Sequence, residues 1–201
     1  MTLLPPAAVA GEGPSAAQWS IGPVIKGRNY SVNMPRTLYE TREGPSFEFP
    51  GPSKAAGHVH YVTVPVRSLR GARRITMTYR IDARPGTRFV GQEHNDSAGT
   101  LSLYIQRAGD RWNAKTPFHR WYSPHNRVVT LKPGTNTISI SLDEPWIAVL
   151  GGDRKTRPGE FAAALDNASQ VGFTFGGRGG RGHGVYATGP ARFTVLDFRI
   201  E

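Results

Sequence analysis

Four stretches of this 201-residue chain alternate apolar and polar side chains with a period of two, and that alternation restricts the fold more than any other feature. In Arg74 to Asp82 the residues Ile75, Met77, Tyr79 and Ile81 share one face while Thr76, Thr78 and Arg80 share the other, because successive side chains of a strand point to opposite sides. Leu101, Leu103 and Ile105 alternate with Ser102, Tyr104 and Gln106. Ile138, Ile140 and Leu142 alternate with Thr137, Ser139 and Ser141, and Val171, Phe173 and Phe175 with Gly172 and Thr174. Each run predicts a half-buried antiparallel strand. Further strands are expected at Val24 to Lys26, Tyr30 to Met34, Phe47 to Phe49, His58 to Val66, Arg127 to Leu131, Trp146 to Leu150, Val185 to Ala187 and Arg192 to Ile200, with a turn at Lys132 to Asn136. One helical piece, Pro158 to Asn167, places Pro158 in a first turn. The expected fold is all-β: an antiparallel two-sheet β-sandwich of jelly-roll type, with one short helix near 158–167 and a closed barrel as the alternative. Residues 1–18 read as a flexible N-terminal segment and 19–201 as a single domain.

The 24 glycines and 16 prolines suit a turn-rich globular chain, and the absence of cysteine excludes disulfides and thiolate-ligated metal. No apolar run is long enough for a membrane-spanning helix. Ala8-Val9-Ala10 before Gly11 has the small-x-small form of an export cleavage site, so a periplasmic or extracellular location is expected. The formal charge of +10 brings a polyanion or an acidic polysaccharide into consideration. Its 20 arginines against five lysines suit bidentate recognition of carboxylate, sulfate or phosphate, although genome composition produces the same bias. The charge is dispersed rather than gathered into an arm, which speaks against nucleic acid.

Gly176-Gly-Arg-Gly-Gly-Arg-Gly-His-Gly184 resembles an Arg-Gly-Gly tract, but its single occurrence between two strand-like runs reads better as an ordered loop that projects Arg178, Arg181 and His183. His58 and His60 share one strand face and could meet a metal with His94, or simply finish a buried face. Asp96, Asp153 and Asp197 could join backbone carbonyls around a structural Ca²⁺. The segment from Trp112 to Asn126 concentrates Trp112, His119, Arg120, Trp121 and Tyr122 in a loop-like stretch. Aromatic rings stack on sugar CH faces, and Arg, His and Asn orient hydroxyls, so this segment is the main functional signal. Its competing reading is that Phe118, Trp121 and Trp146 close the core. Of the two neighbouring tryptophans, Trp121 is taken as ligand-facing and Trp112 as structural. Tyr104, Trp146, Arg178, Arg181 and His183 complete the candidate ligand contacts.

No nucleophile elbow, zinc-protease helix or phosphate loop is present. A lyase acting on uronate polymers would need a carboxylate neutraliser, a base and an acid, for which Arg120, His119, Tyr122, Tyr104 and His183 are the available groups.

Phe118-His-Arg-Trp-Tyr-Ser123, Pro145 to Gly151, Val171-Gly-Phe-Thr-Phe175 and the closing Ala191 to Ile200 resemble the jelly-roll carbohydrate-binding modules of bacterial glycan-degrading systems. The resemblance is one of style and covers about the last half of the chain. It implies a non-catalytic module that binds a polysaccharide, and it maps a structural calcium onto Asp197. The basic charge and the Gly-rich loop depart from the usual pattern and point away from a neutral, cellulose-like ligand. Three functions are therefore expected in order: a polysaccharide-binding module, a lyase of the same fold, and a structural sandwich whose aromatics are all core.

Overall fold

The computed structural model describes residues 13–53, 60–178 and 180–201. In chain order the strands are β1 (Ser20–Gly22), β2 (Val24–Ile25), β3 (Arg28–Asn29), β4 (Ser46–Glu48), β5 (His60–Pro65), β6 (Arg74–Ala83), β7 (Phe89–Gly91), β8 (Thr100–Arg107), β9 (Arg120–Tyr122), β10 (Val129–Thr130), β11 (Gly134–Ser141), β12 (Ile147–Ala148), β13 (Ala168–Gly176), β14 (Val185–Ala187) and β15 (Ala191–Ile200). A single α-helix, α1 (Pro158–Asp166), connects β12 to β13 with Pro158 at its start. The architecture is the expected jelly-roll sandwich. A seven-stranded sheet of order β1-β5-β13-β8-β9-β12, with β10 also on β8, faces a four-stranded sheet of order β11-β6-β15-β4. The long strands pass back and forth between the sheets, and all pairings are antiparallel.

The two-residue period sorts each sheet into an inner and an outer face. Phe173 pairs with Val62 and Leu103, and Phe175 with His60 and Leu101, so these side chains point together into the core. From the opposite sheet Phe193 meets them, lying nearly parallel to Phe173 at 5.1 Å, to Tyr79 at 4.8 Å and to Phe47 at 5.2 Å. Trp19 closes one side against Phe173 and Phe198. The outer face of the four-stranded sheet carries cross-strand hydroxyl pairs, Thr76 with Ser139 and Thr78 with Thr137 at 2.9 Å. Three arginines there each hold a carboxylate: Arg80 takes Glu43 and Asp82, Arg192 takes Glu48 and Arg199 takes Asp197.

Several boundaries differ from the sequence expectation. Tyr30 to Met34 forms a turn, because Asn29 Oδ1 accepts from the Ser31 amide and Ser31 O from that of Met34. The turn at Lys132 to Asn136 is shorter, since β11 already pairs with β6 from Gly134. Residues 13–18, read as flexible, are packed: Ala16 is buried, its amide donates to Glu40, and the Trp19 indole donates to Pro14 O. Ala8 to Ala10 and His58 lie outside the described residues. His60 is buried in the core, where its Nδ1 accepts from the Val185 amide at 3.1 Å.

Phe193 reaches across to Phe173 and Phe175 while stacking on Tyr79 and Phe47 of its own sheet, so Phe193→Ala should cost about 3–5 kcal/mol. For a domain of ordinary stability this is a large fraction of the total, and the urea midpoint should fall steeply. A midpoint within experimental error of the parent would show that the stack is not the joint between the sheets.

Candidate functional site

The outer face of the seven-stranded sheet is where the candidate residues gather. On its central strand β13 the outward positions are Gln170 at one end and then Gly172, Thr174 and Gly176, so the middle of the face is a trough with no large side chain of its own. Neighbouring strands fill it. Tyr61 from β5, Tyr104 from β8 and Tyr122 from β9 pack as an aromatic cluster, with Tyr61 and Tyr104 at 4.6 Å and Tyr104 and Tyr122 at 5.7 Å. The hydroxyls of Tyr61 and Tyr122 are hydrogen-bonded to each other. Burial pushes all three phenols above their ordinary range, so they stay protonated well above neutral pH.

At one end of the trough lies an open cleft of about 700 Å³. Tyr122, Ile147 and Val149 supply its apolar surface, and Arg178, Arg181, His183 and His125 its polar groups. The Gly-rich segment that follows β13 forms the rim. Arg181 donates to Ser123 O and, at 2.6 Å, to His125 Nδ1, with its guanidinium 5.9 Å from the Tyr122 ring centroid. His183 pairs through Nδ1 with Glu93. Arg178 is exposed and makes no ion pair among the described residues. The glycines have a packing cause: a Cβ on Gly182 would sit 2.0 Å from the Tyr61 hydroxyl oxygen, and Gly184 adopts a φ of +84° that a larger residue resists.

At the other end a smaller groove is walled by Tyr61 and Trp112. Trp112 has a φ of +56°, a conformation costing a bulky residue about 1–3 kcal/mol. Asp110 holds it there. Its side chain is 1% exposed and accepts from the Trp112 amide at 3.1 Å, Thr116 Oγ1 at 3.0 Å and Gln106 Nε2 at 2.9 Å. Arg120 Nε lies 3.2 Å from the same carboxylate without hydrogen-bond alignment, and its guanidinium rests 5.0 Å from the Trp112 ring centroid.

Five of the sequence-predicted ligand contacts, and the metal position, are corrected by these placements. Trp121 and Trp146 are both 0% exposed, and Phe161 of α1 wedges against them at 4.9 and 6.2 Å. Their indole groups donate to Phe118 O and Ser141 O, so both are core residues. The assignment of the two neighbouring tryptophans is therefore reversed: Trp112 is the part-exposed one. Tyr104 is 0% exposed beneath its tyrosine neighbours. Arg120, 9% exposed, positions Trp112 rather than meeting solvent. His119 stands beside Gly109, outside the lining of both hollows. Asp197 pairs with Arg199 at 2.8 Å, and no three His, Cys, Asp or Glu side chains converge among the described residues. Tyr122, Arg178, Arg181 and His183 are brought together, and Trp112 lies at the adjoining groove. Tyr61, Asp110 and His125 were missed. Tyr61 was placed correctly on a strand, and its parity opposite Val62 was the available signal.

No protein-family model matches the chain, and no curated protein matches it. Among solved structures, one described as "X-ray crystal structure of a non-crystalline cellulose specific carbohydrate-binding module: CBM28" is similar with a TM-score of 0.45 and 12% identity, over 92% of this chain and 87% of that one. No helix among the described residues is long and apolar enough to cross a membrane.

Gly182→Ala should press a methyl group into the Tyr61 hydroxyl and cost about 1–3 kcal/mol as an overpacking substitution. A thermal melt unchanged from the parent would show that the loop yields without resistance. His125 is held below the usual imidazole value of 6.5, first by burial and then by Arg181. Its folded value lies below its unfolded one, so its contribution to stability falls as pH drops through about 6.5. Imidazole NMR should place the His125 midpoint below 6.5, and Arg181→Ala should raise it; an unmoved midpoint removes Arg181 as a cause.

Proposed function

We propose that this chain is a non-catalytic, exported carbohydrate-binding protein that takes an acidic polysaccharide into the cleft beside Tyr122. The observation that carries the reading is the combination within that cleft: an apolar floor of Tyr122, Ile147 and Val149 under a rim bearing Arg178, Arg181 and His183. A floor of this kind suits the CH faces of a sugar ring, and guanidinium groups suit its carboxylate or sulfate. Contrast within the molecule supports the acidic ligand. Arg80, Arg192 and Arg199 on the opposite sheet are matched by carboxylates, whereas Arg178 has none among the described residues. Export rests on the Ala8-Val9-Ala10 sequence.

One feature favours a second reading. His183, oriented by Glu93 and sharing the cleft with Arg178 and Arg181, has the composition of a base beside a carboxylate neutraliser, as a uronate lyase requires. The same experiment separates the two. Affinity electrophoresis against polygalacturonate, alginate, chondroitin sulfate and a neutral glucan should show retardation by acidic polymers alone, with no rise in ultraviolet absorbance from unsaturated uronate. Such a rise would make the protein a lyase, and retardation by the glucan alone would overturn the acidic ligand.

Arg181 is tied to Ser123 and His125, so its removal perturbs the loop as well as the cleft. Arg178→Ala is the cleaner variant. It should weaken binding several-fold at low salt and leave the melt almost unchanged, and parent affinity should fall with ionic strength because exposed charges are screened beyond about 8–10 Å. Equal affinity at low and high salt would detach the net charge from binding.

A further inference from the structure

We infer that the Trp112 groove is a second subsite for the same acidic polymer, taking a sugar unit further along the chain than the one in the cleft; the inference rests on the reading above. Three observations at the groove point to a ligand. First, Gln170 of its lining holds its Oε1 buried and without a hydrogen-bond partner among the described residues. A buried acceptor left unmet costs free energy, and a sugar hydroxyl is a donor of the right kind to meet it. Second, Arg36 and Arg107 line the groove, and neither has an ion-pair partner among the described residues. Asp110, the carboxylate in the lining, is already taken by the Trp112 amide, Thr116, Gln106 and Arg120. The groove therefore offers uncompensated positive charge beside an unmet acceptor, a pairing that suits an anionic, hydroxyl-rich unit. Third, Trp112 is held in a left-handed backbone conformation by that buried carboxylate, and backbone strain of this kind persists only where the surroundings enforce it.

The groove adjoins the cleft. Tyr61 walls the one and Tyr122 the other; their ring centroids are 6.4 Å apart and their hydroxyls share a hydrogen bond. Both hollows open on the same sheet face, so a polymer leaving the cleft over this tyrosine pair arrives at Trp112. Occupying two adjoining subsites with one chain makes the second contact intramolecular, and long oligomers should bind about tenfold or more tighter than short ones.

The protein carries its own reporter. Of the four tryptophans, Trp19, Trp121 and Trp146 are 0% exposed, so acrylamide quenching of tryptophan fluorescence reads Trp112. A long oligogalacturonate should protect the quenchable tryptophan. In Gln170→Ala and Arg107→Ala the protection should weaken, and the affinity gain from short to long oligomer should shrink toward none. If the long oligomer retards the protein in the gel while the tryptophan stays fully quenchable, or if the gain with length persists in both variants, the groove is not a subsite and the cleft acts alone. If the acidic polymers fail to retard the protein, the cleft reading falls and takes this one with it, which the gel distinguishes from failure of the groove. A circular-dichroism melt of each variant guards against loss of the fold.

Discussion

The outer face depends on what β13 leaves out. Its inward residues are Val171, Phe173 and Phe175, and its central outward ones are Gly172, Thr174 and Gly176. The first set binds the sheets together through Phe193, so the register of this strand is fixed by burial; a one-residue slip would turn two phenylalanines into solvent. The second set then faces outward, and it is small because a Cβ on Gly172 would sit 2.1 Å from Val62 O and one on Gly176 2.0 Å from Gly180 O. Tyr61, Tyr104 and Tyr122 lean into the vacancy from the flanking strands, and hollows form at either end of them. Core packing on one side of the strand thus sets which residues face the other side, and close backbone approach there sets its relief.

That relief is maintained by polar groups whose burial makes them demanding. The Asp110 carboxylate gathers an amide, a hydroxyl, a carboxamide and a guanidinium from within fifteen residues of chain, and it fixes the loop that carries Trp112. Across the trough, Arg181 performs the corresponding service for the Gly-rich loop by bonding Ser123 and His125. Both loops are consequently shaped before any ligand arrives, and binding need not repay the ordering of a floppy segment.

The strand parities were legible because burial writes a two-residue period directly into the sequence. Ile75 to Ile81 and Val171 to Phe175 occupy the faces their alternation implies. The segment from Trp112 to Asn126 was harder. Its β9 is three residues long and flanked by proline- and histidine-rich turns, too short for a period to show, so the sequence left Trp121 open between a ligand contact and a core residue lying inward between outward Arg120 and Tyr122. Trp146 was obscure for another reason: its burial depends on Phe161, fifteen positions away on a helix, and the packing of a helix against a sheet leaves no local mark. The cleft itself joins residues near 97, 122, 147 and 178, and no local pattern announces a meeting of that kind. The Gly-rich loop was identifiable as ordered, but its reason was not. Gly182 is small because a tyrosine hydroxyl lies against it.

The pairing of arginines with carboxylates on the four-stranded sheet has a dynamic consequence. Glu43, Glu48, Asp82 and Asp197 offset Arg80, Arg192 and Arg199 there, whereas Arg36, Arg107 and Arg178 beside the two hollows have no ion-pair partner among the described residues. An uneven pairing of this kind gives a torque near a polyanion, which turns the molecule before it touches. Under the acidic-ligand proposal, fewer encounters are wasted on the wrong side, and capture becomes a matter of rotational bias during approach as much as of contacts made on arrival.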